Sequence, residues 1–383
     1  MSAGDTQERM RVVIAGGGVA GLETALALKD LADDSTSRTL LDPDEDFVMR
    51  PQTVREPFSY PKAERWPLAP IARDAGAELI VDELEWVDAA KRIAHTRGGR
   101  HLEYDALVIA MGARATPRFK HSITVDPSTM DETLHGLIQD VEGGYVDQVV
   151  FLAPGRMAWP MPLYELALMT AGRAYDMDVK VAITIATPED SPLAVFGSAA
   201  SDAVAELLDR AGIEVISSAY AEVPHSGEVI INPGDRHVKA DRVVALPELY
   251  GPGVRGLPLS EHGFFRVDKF QRVLDADGVY AAGDSTEFAI KHGGVSSQMA
   301  DVAAEQIAAD AGAKITPQPF QPVVHGMLLT DGKPLYLTAR ITGGHGFSSE
   351  VSDTPTWSPP TKIASRYLTP YLDEHNPTAT EAS

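Results

Sequence analysis

The chain has 383 residues, 44% of them apolar and 23% charged, the balance of an ordinary globular protein of about two or three domains. Its 33 basic and 55 acidic residues leave a net charge of −22, which repels phosphate backbones and anionic headgroups, so nucleic acid is excluded as a partner. The cysteine count is 0, which removes disulfides, thiolate metal sites, iron–sulfur ligation and thiol redox chemistry together.

Residues 1–10 are polar and expected to fray. No basic stretch leads into an apolar run at the start, and no segment approaches about 18 consecutive apolar residues. Neither a signal peptide nor a membrane span is therefore expected, and the expected compartment is the cytoplasm. Residues 11–15 read as a short buried strand, Gly16-Gly17-Gly18 follows, and residues 19–31 repeat apolar side chains at helical spacing. A second strand, 39–41, ends on Asp42, completing a strand–helix–strand unit of a parallel sheet. Shorter strand-like runs follow at 78–81, 92–95 and 107–109, with Gly98-Gly99 as a hairpin turn.

An apolar strand at 147–153 opens a second pattern, with helices at 163–171 and 201–211 and strands at 179–185 and 214–216. Another buried strand at 278–283 precedes an Ala-rich helix, 295–311. Beyond it lie strand-like pieces at 327–329 and 335–341 and an amphipathic stretch at 362–372. The expected fold class is α/β, with two Rossmann-like domains, the second inserted in the first, and a C-terminal cap. The expected division is a flexible 1–10, a first domain of 11–117 and 258–312, and a second of 118–257. A cap of 313–372 and a flexible tail of 373–383 complete it.

The strongest motif is Gly16-x-Gly18-x-x-Gly21 between the first strand and helix. Gly16 permits the tight turn, Gly18 lets the backbone approach a pyrophosphate, and Gly21 lets the helix sit close to the strand. The free N–H groups that follow, at Val19 and Ala20, hold the anion. Asp42 lies about 20 residues beyond Gly21, where a carboxylate accepts hydrogen bonds from ribose hydroxyls. Together these predict a bound dinucleotide.

Residues 104–113, YDALVIAMGA, resemble the second fingerprint of the two-dinucleotide-binding-domain flavoproteins, and 278–284, GVYAAGD, resemble their third. The resemblance covers about residues 11–312 and implies FAD/NAD(P)-type domains with bound FAD. It implies cofactor contacts at Ala110, Met111 and Gly112, and at Gly283 and Asp284, with Asp284 on the ribityl chain. The helix that follows would point its start, at Gly293, Gly294 and Val295, toward the pyrimidine end of the flavin, where the reduced ring carries negative charge. Within those flavoproteins the branch of type II NADH dehydrogenases and sulfide:quinone oxidoreductases is the most similar. Residues 47–51, FVMRP, resemble the stretch after their ribose acid, which places Arg50 and Pro51 near the ring; Leu84 is expected among the cofactor contacts. Lys291-His292-Gly293-Gly294 resembles their Lys-Thr-Gly-Tyr-type segment. Residues 159–165, WPMPLYE, resemble a Cys-Pro-Gly-Ala-Pro-Tyr-Glu run of the sulfide oxidisers, with Trp159 in the cysteine's place. Persulfide chemistry and dithiol exchange both need thiolates, so sulfide oxidation and disulfide reduction are ruled out. A substrate pocket lined by Trp159, Pro160 and Tyr164 is expected instead.

A nicotinamide site in the second domain should repeat the glycine turn. Ala153-Pro154-Gly155-Arg156 offers a single glycine, and the neighbouring prolines lack N–H groups. NAD(P)H thus stands as an alternative reductant, with Arg156 on its phosphate, behind a small-molecule donor or acceptor. His292 is the candidate proton donor, its ordinary pKa lying near neutrality, against the reading of a helix-capping histidine. Lys291 is a candidate partner for the reduced flavin's charge, or a solvated surface lysine. Glu165 is the candidate acid on the substrate side, or half of a structural ion pair. Trp357 covers the flavin or packs at a domain seam.

The histidines show no metal-ligand spacing and His345 has no partner at useful distance, so no metal is expected. Ile363, Tyr367, Leu368, Tyr371 and Leu372 could touch a membrane or a quinone site, or pack on the second domain or a twin subunit. Pro370 and the acidic charge disfavour peripheral membrane contact, and a homodimer is left open. The expected function is FAD-dependent oxidoreduction, passing two electrons to or from a quinone-like molecule. The alternatives are an NAD(P)H dehydrogenase of the same fold and a non-catalytic FAD-binding interaction protein.

Overall fold

Strand Met10–Ala15 pairs in parallel with Thr36–Asp42 on one side and Ala106–Ile109 on the other. Ala77–Val81 and Val279–Ala281 complete a five-stranded parallel sheet at its two edges. This is a computed structural model, which describes residues 9–156, 159–342 and 346–376. His345 and most of both terminal segments lie outside the described residues. Parallel strands covered on both faces read as unbroken apolar runs, and Val12, Val13, Ile14 and Ala15 are each at most 3% exposed. Val12 and Ile14 face helices Val19–Ala32 and Gly293–Asp310, while Val13 and Ala15 face the antiparallel ribbons of residues 84–103.

The second sheet has the order Ile123–Thr124, Arg242–Ala245, Gln148–Leu152, Ala182–Ala186 and Ile213–Ile216, again all parallel. Helices Met130–Glu142, Met161–Asp176 and Ser198–Arg210 bury their apolar faces on one side of it. A three-stranded antiparallel sheet spanning residues 220–239 closes the other. The chain leaves and re-enters the first unit through one ribbon, in which Arg114–Thr116 pairs antiparallel with Glu248–Tyr250. The architecture is therefore two Rossmann-like units, the second inserted in the first.

The cap is an antiparallel sheet of Val323–Leu328, Leu335–Thr342 and Gly346–Ser352. Val324, Leu328, Leu337 and Ala339 join the core of the second unit. Trp357 packs at the end of the cap, 5.4 Å from the Tyr336 ring, and its Nε1 donates to the Thr361 carbonyl at 2.9 Å.

The amphipathic stretch after it departs from expectation. Its apolar face packs neither on the second unit nor outward: Ile363, Leu368 and Leu372 are buried in the core of the first unit. Tyr367 donates to Asp30 at 3.1 Å and Tyr371 to Asp74 at 2.7 Å, fastening the stretch along the surface of that unit. It is helical only from Leu368 to Glu374, so Pro370 falls in the first turn, where a missing N–H costs nothing. Among the described residues no helix is long and apolar enough to cross a membrane. Leu368 is fully buried, so Leu368→Ala should cost about 2–5 kcal/mol of stability, read as a lower urea midpoint at unchanged slope.

Candidate active site

At the end of strand Met10–Ala15, Gly16 has φ +117°, a conformation L side chains avoid, and a Cβ there would collide with the Ala110 carbonyl. A Cβ on Gly21 would strike the Gly16 carbonyl, which sets how closely the helix crosses the strand. Gly18 is different, since a Cβ there would meet no protein atom within 4 Å. Its backbone faces open space, and the N–H groups of Val19 and Ala20 in the first helical turn have no helical partner. Asp42 accepts hydrogen bonds from the Gly17 N–H and, at 2.8 Å, the Asp44 N–H. Burial raises its pKa against the pull of those two donors. A cleft of about 240 Å³ runs from this turn past Arg50, Pro51, Ala110, Met111 and Gly112 to Gly283, Asp284 and Gly293. The open space over Gly18 and the acid beside it fit the ADP half of a dinucleotide.

Asp284 stands half-buried at the far end of the cleft, where burial pushes its pKa up and the Lys291 charge draws it down. Ser296 Oγ lies 3.4 Å from it. His292 is extended and precedes the 18-residue helix Gly293–Asp310. The first N–H groups of that helix, at Gly293, Gly294 and Val295, are left without helical partners, and its dipole favours negative charge before them. Lys291 is not a solvated surface lysine. It is 7% exposed, donates to the Thr286 carbonyl and stands 4.1 Å over the Phe264 ring. Burial lowers its pKa to about 8.

His292 is 8% exposed, its Nδ1 is sealed from solvent without a partner, and its ring lies 4.5 Å from that of Trp159. Burial, assisted by the Lys362 charge, pushes its pKa down to about 3. Burial thus favours the neutral imidazole, which carries a single N–H, over the imidazolium. Glu165 is fully buried and takes Lys362 Nζ on both oxygens, at 2.6 and 2.7 Å, and the Leu329 N–H at 2.8 Å. Burial raises the Glu165 pKa and lowers that of Lys362, each opposed by its partner's charge.

A cavity of about 700 Å³ joins these groups. It starts at Asp284, Lys291 and Gly293 and runs between the two units to Trp159 and the Glu165–Lys362 pair. Val125, Met130, Met161, Leu246, Leu249 and Met327 wall it. The sequence did not point to Lys362 or to this methionine-rich wall, which is assembled from four separate stretches of chain.

Three expected contacts are corrected. Leu84 pairs with Thr96 and is buried between the sheet and the antiparallel ribbons, away from the cleft. Tyr164 is buried in the second unit, its hydroxyl donating to Glu189 at 2.6 Å. Pro160 is buried before the helix, and Met161 and Pro162, on the face that carries Glu165, line the cavity instead.

At the turn after Gln148–Leu152, a Cβ on Gly155 would meet the Tyr220 ring at 3.0 Å. The Arg156 guanidinium lies 4.7 Å over the Tyr250 ring, and its Nη1 and Nη2 have no hydrogen-bond partner among the described residues. Met157 and Ala158 lie outside the described residues. Among the described residues no cluster of three or more His, Asp or Glu side chains suits a metal ion.

Residues 165–306 match the family model of the pyridine nucleotide-disulphide oxidoreductases. Over that stretch the chain is similar to the pyridine nucleotide-disulphide oxidoreductases. The sulfide-quinone reductase of Aquifex aeolicus (strain VF5) is 27% identical over 258 residues, a span of 63% of this chain and 59% of the relative. The match thus covers less than two thirds of that relative's length. The solved sulfide:quinone oxidoreductase of Aquifex aeolicus superposes with a TM-score of 0.78 at 22% identity, over 90% of this chain and 87% of that one. The ferredoxin reductase for the CYP199A2 system of Rhodopseudomonas palustris gives 0.68 at 18%, over 90% and 88% of the two chains. NDH2 of Plasmodium falciparum gives 0.59 at 14%, over 74% and 66%. At these identities the solved structures share the fold.

Gly18→Ala tests the cradle: the apoprotein should keep its melting temperature, while FAD affinity falls by about tenfold or more as the methyl fills the pyrophosphate space. Asp284→Ala should purify colourless, and a fully yellow variant would remove Asp284 from the cofactor site.

Proposed function

We propose that this chain is an FAD-dependent oxidoreductase that passes two electrons between the flavin and a small apolar molecule, with a quinone-like acceptor. The observation that carries the reading is the cavity of about 700 Å³ that opens from Asp284, Lys291 and Gly293 and is walled largely by apolar side chains. Bound FAD supplies reversible two-electron chemistry at its ring. The glycine turn and Asp42 would hold the ADP half, and Gly112, Asp284 and the start of helix Gly293–Asp310 the flavin half. The Lys291 cation and the helix dipole favour added negative charge beside the ring. Neutral His292 offers a hydrogen bond without a charge. The Glu165–Lys362 pair, the buried acid–base couple on the cavity wall, is placed to hold or release a proton as the ligand changes oxidation state. Trp159 and the methionines exclude water from the far end.

The second unit supports a donor other than NAD(P)H. Tyr220 crowds its lone turn glycine, and Glu189, just past the second strand, is turned inward onto Tyr164. The alternative, an NAD(P)H dehydrogenase, rests on the unpartnered Arg156 guanidinium.

The test is anaerobic. NADH and NADPH should leave the flavin oxidised, dithionite should bleach it, and 1,4-naphthoquinone should then restore the colour. Rapid bleaching by NADH would put the dehydrogenase reading in its place, and a reduced flavin inert to quinones would remove the acceptor class. Glu165→Gln should lower kcat for quinone reduction by about ten- to a hundredfold with a smaller change in KM, by stopped-flow reoxidation. Lys291→Met should make the flavin harder to reduce, measured by dye equilibration, because the reduced ring loses a neighbouring cation.

A further inference from the structure

The stretch 361–376 crosses the start of the flavin-facing helix as a strap. Ala364 accepts a hydrogen bond from Ser297 Oγ at 3.1 Å, and Ile363 packs on Gly293, where a Cβ would meet its Cγ1 at 2.8 Å. Lys362 then reaches the second unit at Glu165. Besides the Tyr367 and Tyr371 hydrogen bonds, one carboxyl group of the first unit holds the strap's backbone. Glu23, fully buried in helix Val19–Ala32, accepts three consecutive strap N–H groups, from Arg366 and Tyr367 at 2.8 Å and from Leu368 at 2.7 Å. Both Glu23 oxygens act as acceptors there, the role of an ionised carboxylate.

Beside it, on helix Gly293–Asp310, Asp301 Oδ1 is sealed from solvent and has no hydrogen-bond partner. The side chain it meets is Glu23. Two carboxylates brought together out of water repel, and only a proton between them turns the contact into a hydrogen bond. The other groups facing Asp301 do not remove the need for it. Arg366 on the strap is ion-paired to Glu305 at 3.5 Å, Glu305 on Asp301's own helix adds negative charge, and the Tyr367 hydroxyl is committed to Asp30.

We propose that Glu23 and Asp301 share one proton and form a latch that positions the C-terminal strap, and with it Lys362, over the flavin cavity. The proton sits on Asp301, which donates to Glu23, while Glu23 keeps its charge for the three strap amides. Both are positioning residues, acting on the cavity through Ile363 and Lys362.

The latch is sensitive to pH in a defined direction. Burial first, and the Glu23 charge second, hold the Asp301 pKa up at about 8 with the strap closed. With the strap lifted the carboxyls are hydrated and titrate near their ordinary value of about 4. Closing therefore takes up a proton across this window, and its equilibrium constant falls by about tenfold per pH unit as pH rises, levelling off above about 8.

Hydrogen exchange of the 366–368 amides in the FAD-loaded full-length protein reads this directly. Protection factors, corrected for intrinsic exchange, should drop by about tenfold or more between pH 6.5 and 8.5 in the wild type. Asp301→Asn keeps a donor to Glu23 but cannot titrate, so its protection should be high and equal at both pH values. Equal wild-type protection at the two pH values would overturn the latch, as would an Asp301→Asn variant that keeps the wild-type drop.

Discussion

One buried ion pair ties together parts of the molecule that share little else. Glu165 comes from a helix of the second unit, Lys362 from the strap, and the N–H that completes the carboxylate's shell from Leu329 of the cap. Taking two such charges out of water costs several kcal/mol each, and only their close contact offsets it. Either one alone would be a bare charge in an apolar place, at a cost of about 3–5 kcal/mol. The arrangement of second unit, strap and cap is thus enforced electrostatically at the point where the cavity ends. The same constraint gives the cavity its character, because a wall of methionine, valine and leucine side chains tolerates this couple only while it is paired.

Charge is distributed accordingly. A chain of net charge −22 lines its central cavity with Arg50, Arg114, Lys291 and Lys362, facing Asp126, Glu165 and Asp284. An acidic exterior around a cleft that holds cations focuses potential inward, and an electron-rich ring is held more readily in such a field. The zero cysteine count makes the same site chemically narrow, since no side chain in it can form a covalent bond through sulfur with a donor.

What could be read from the sequence was what local rules determine. Gly16 and Gly21 sit where only glycine fits, and the strand and helix flank them within a few residues, so the geometry of the turn was legible. The parallel strands were legible because burial on both faces removes alternation. Features set by tertiary register were not. Leu84 and Tyr164 are apolar-compatible residues whose faces depend on which sheet or helix they join, and nothing nearby fixes that. Ile363, Leu368 and Leu372 show one apolar face but not its partner, since several surfaces would bury it equally well. Lys362 meets an acid far away in the chain, so no spacing rule reaches it. The surroundings of His292 were hidden for the same reason: burial first and the Lys362 charge second favour its neutral form, and neither Lys362 nor the Trp159 ring beside it is near in sequence.

The ribbon that joins the two units has a consequence for how the chain finds its fold. Strand Val279–Ala281 pairs with Ala106–Ile109 across a long intervening loop, and closing such a loop in an unfolded chain is entropically unfavourable. Thr116 and Glu248 are direct partners in the ribbon, so once the inserted unit has folded, the ends of that loop already lie side by side. For the edge strand the effective loop shrinks to the few dozen residues after the ribbon. Pairing in the ribbon thus lowers the entropic cost of adding the edge strand, and the inserted unit, though long in sequence, adds little to the loop that this strand must close.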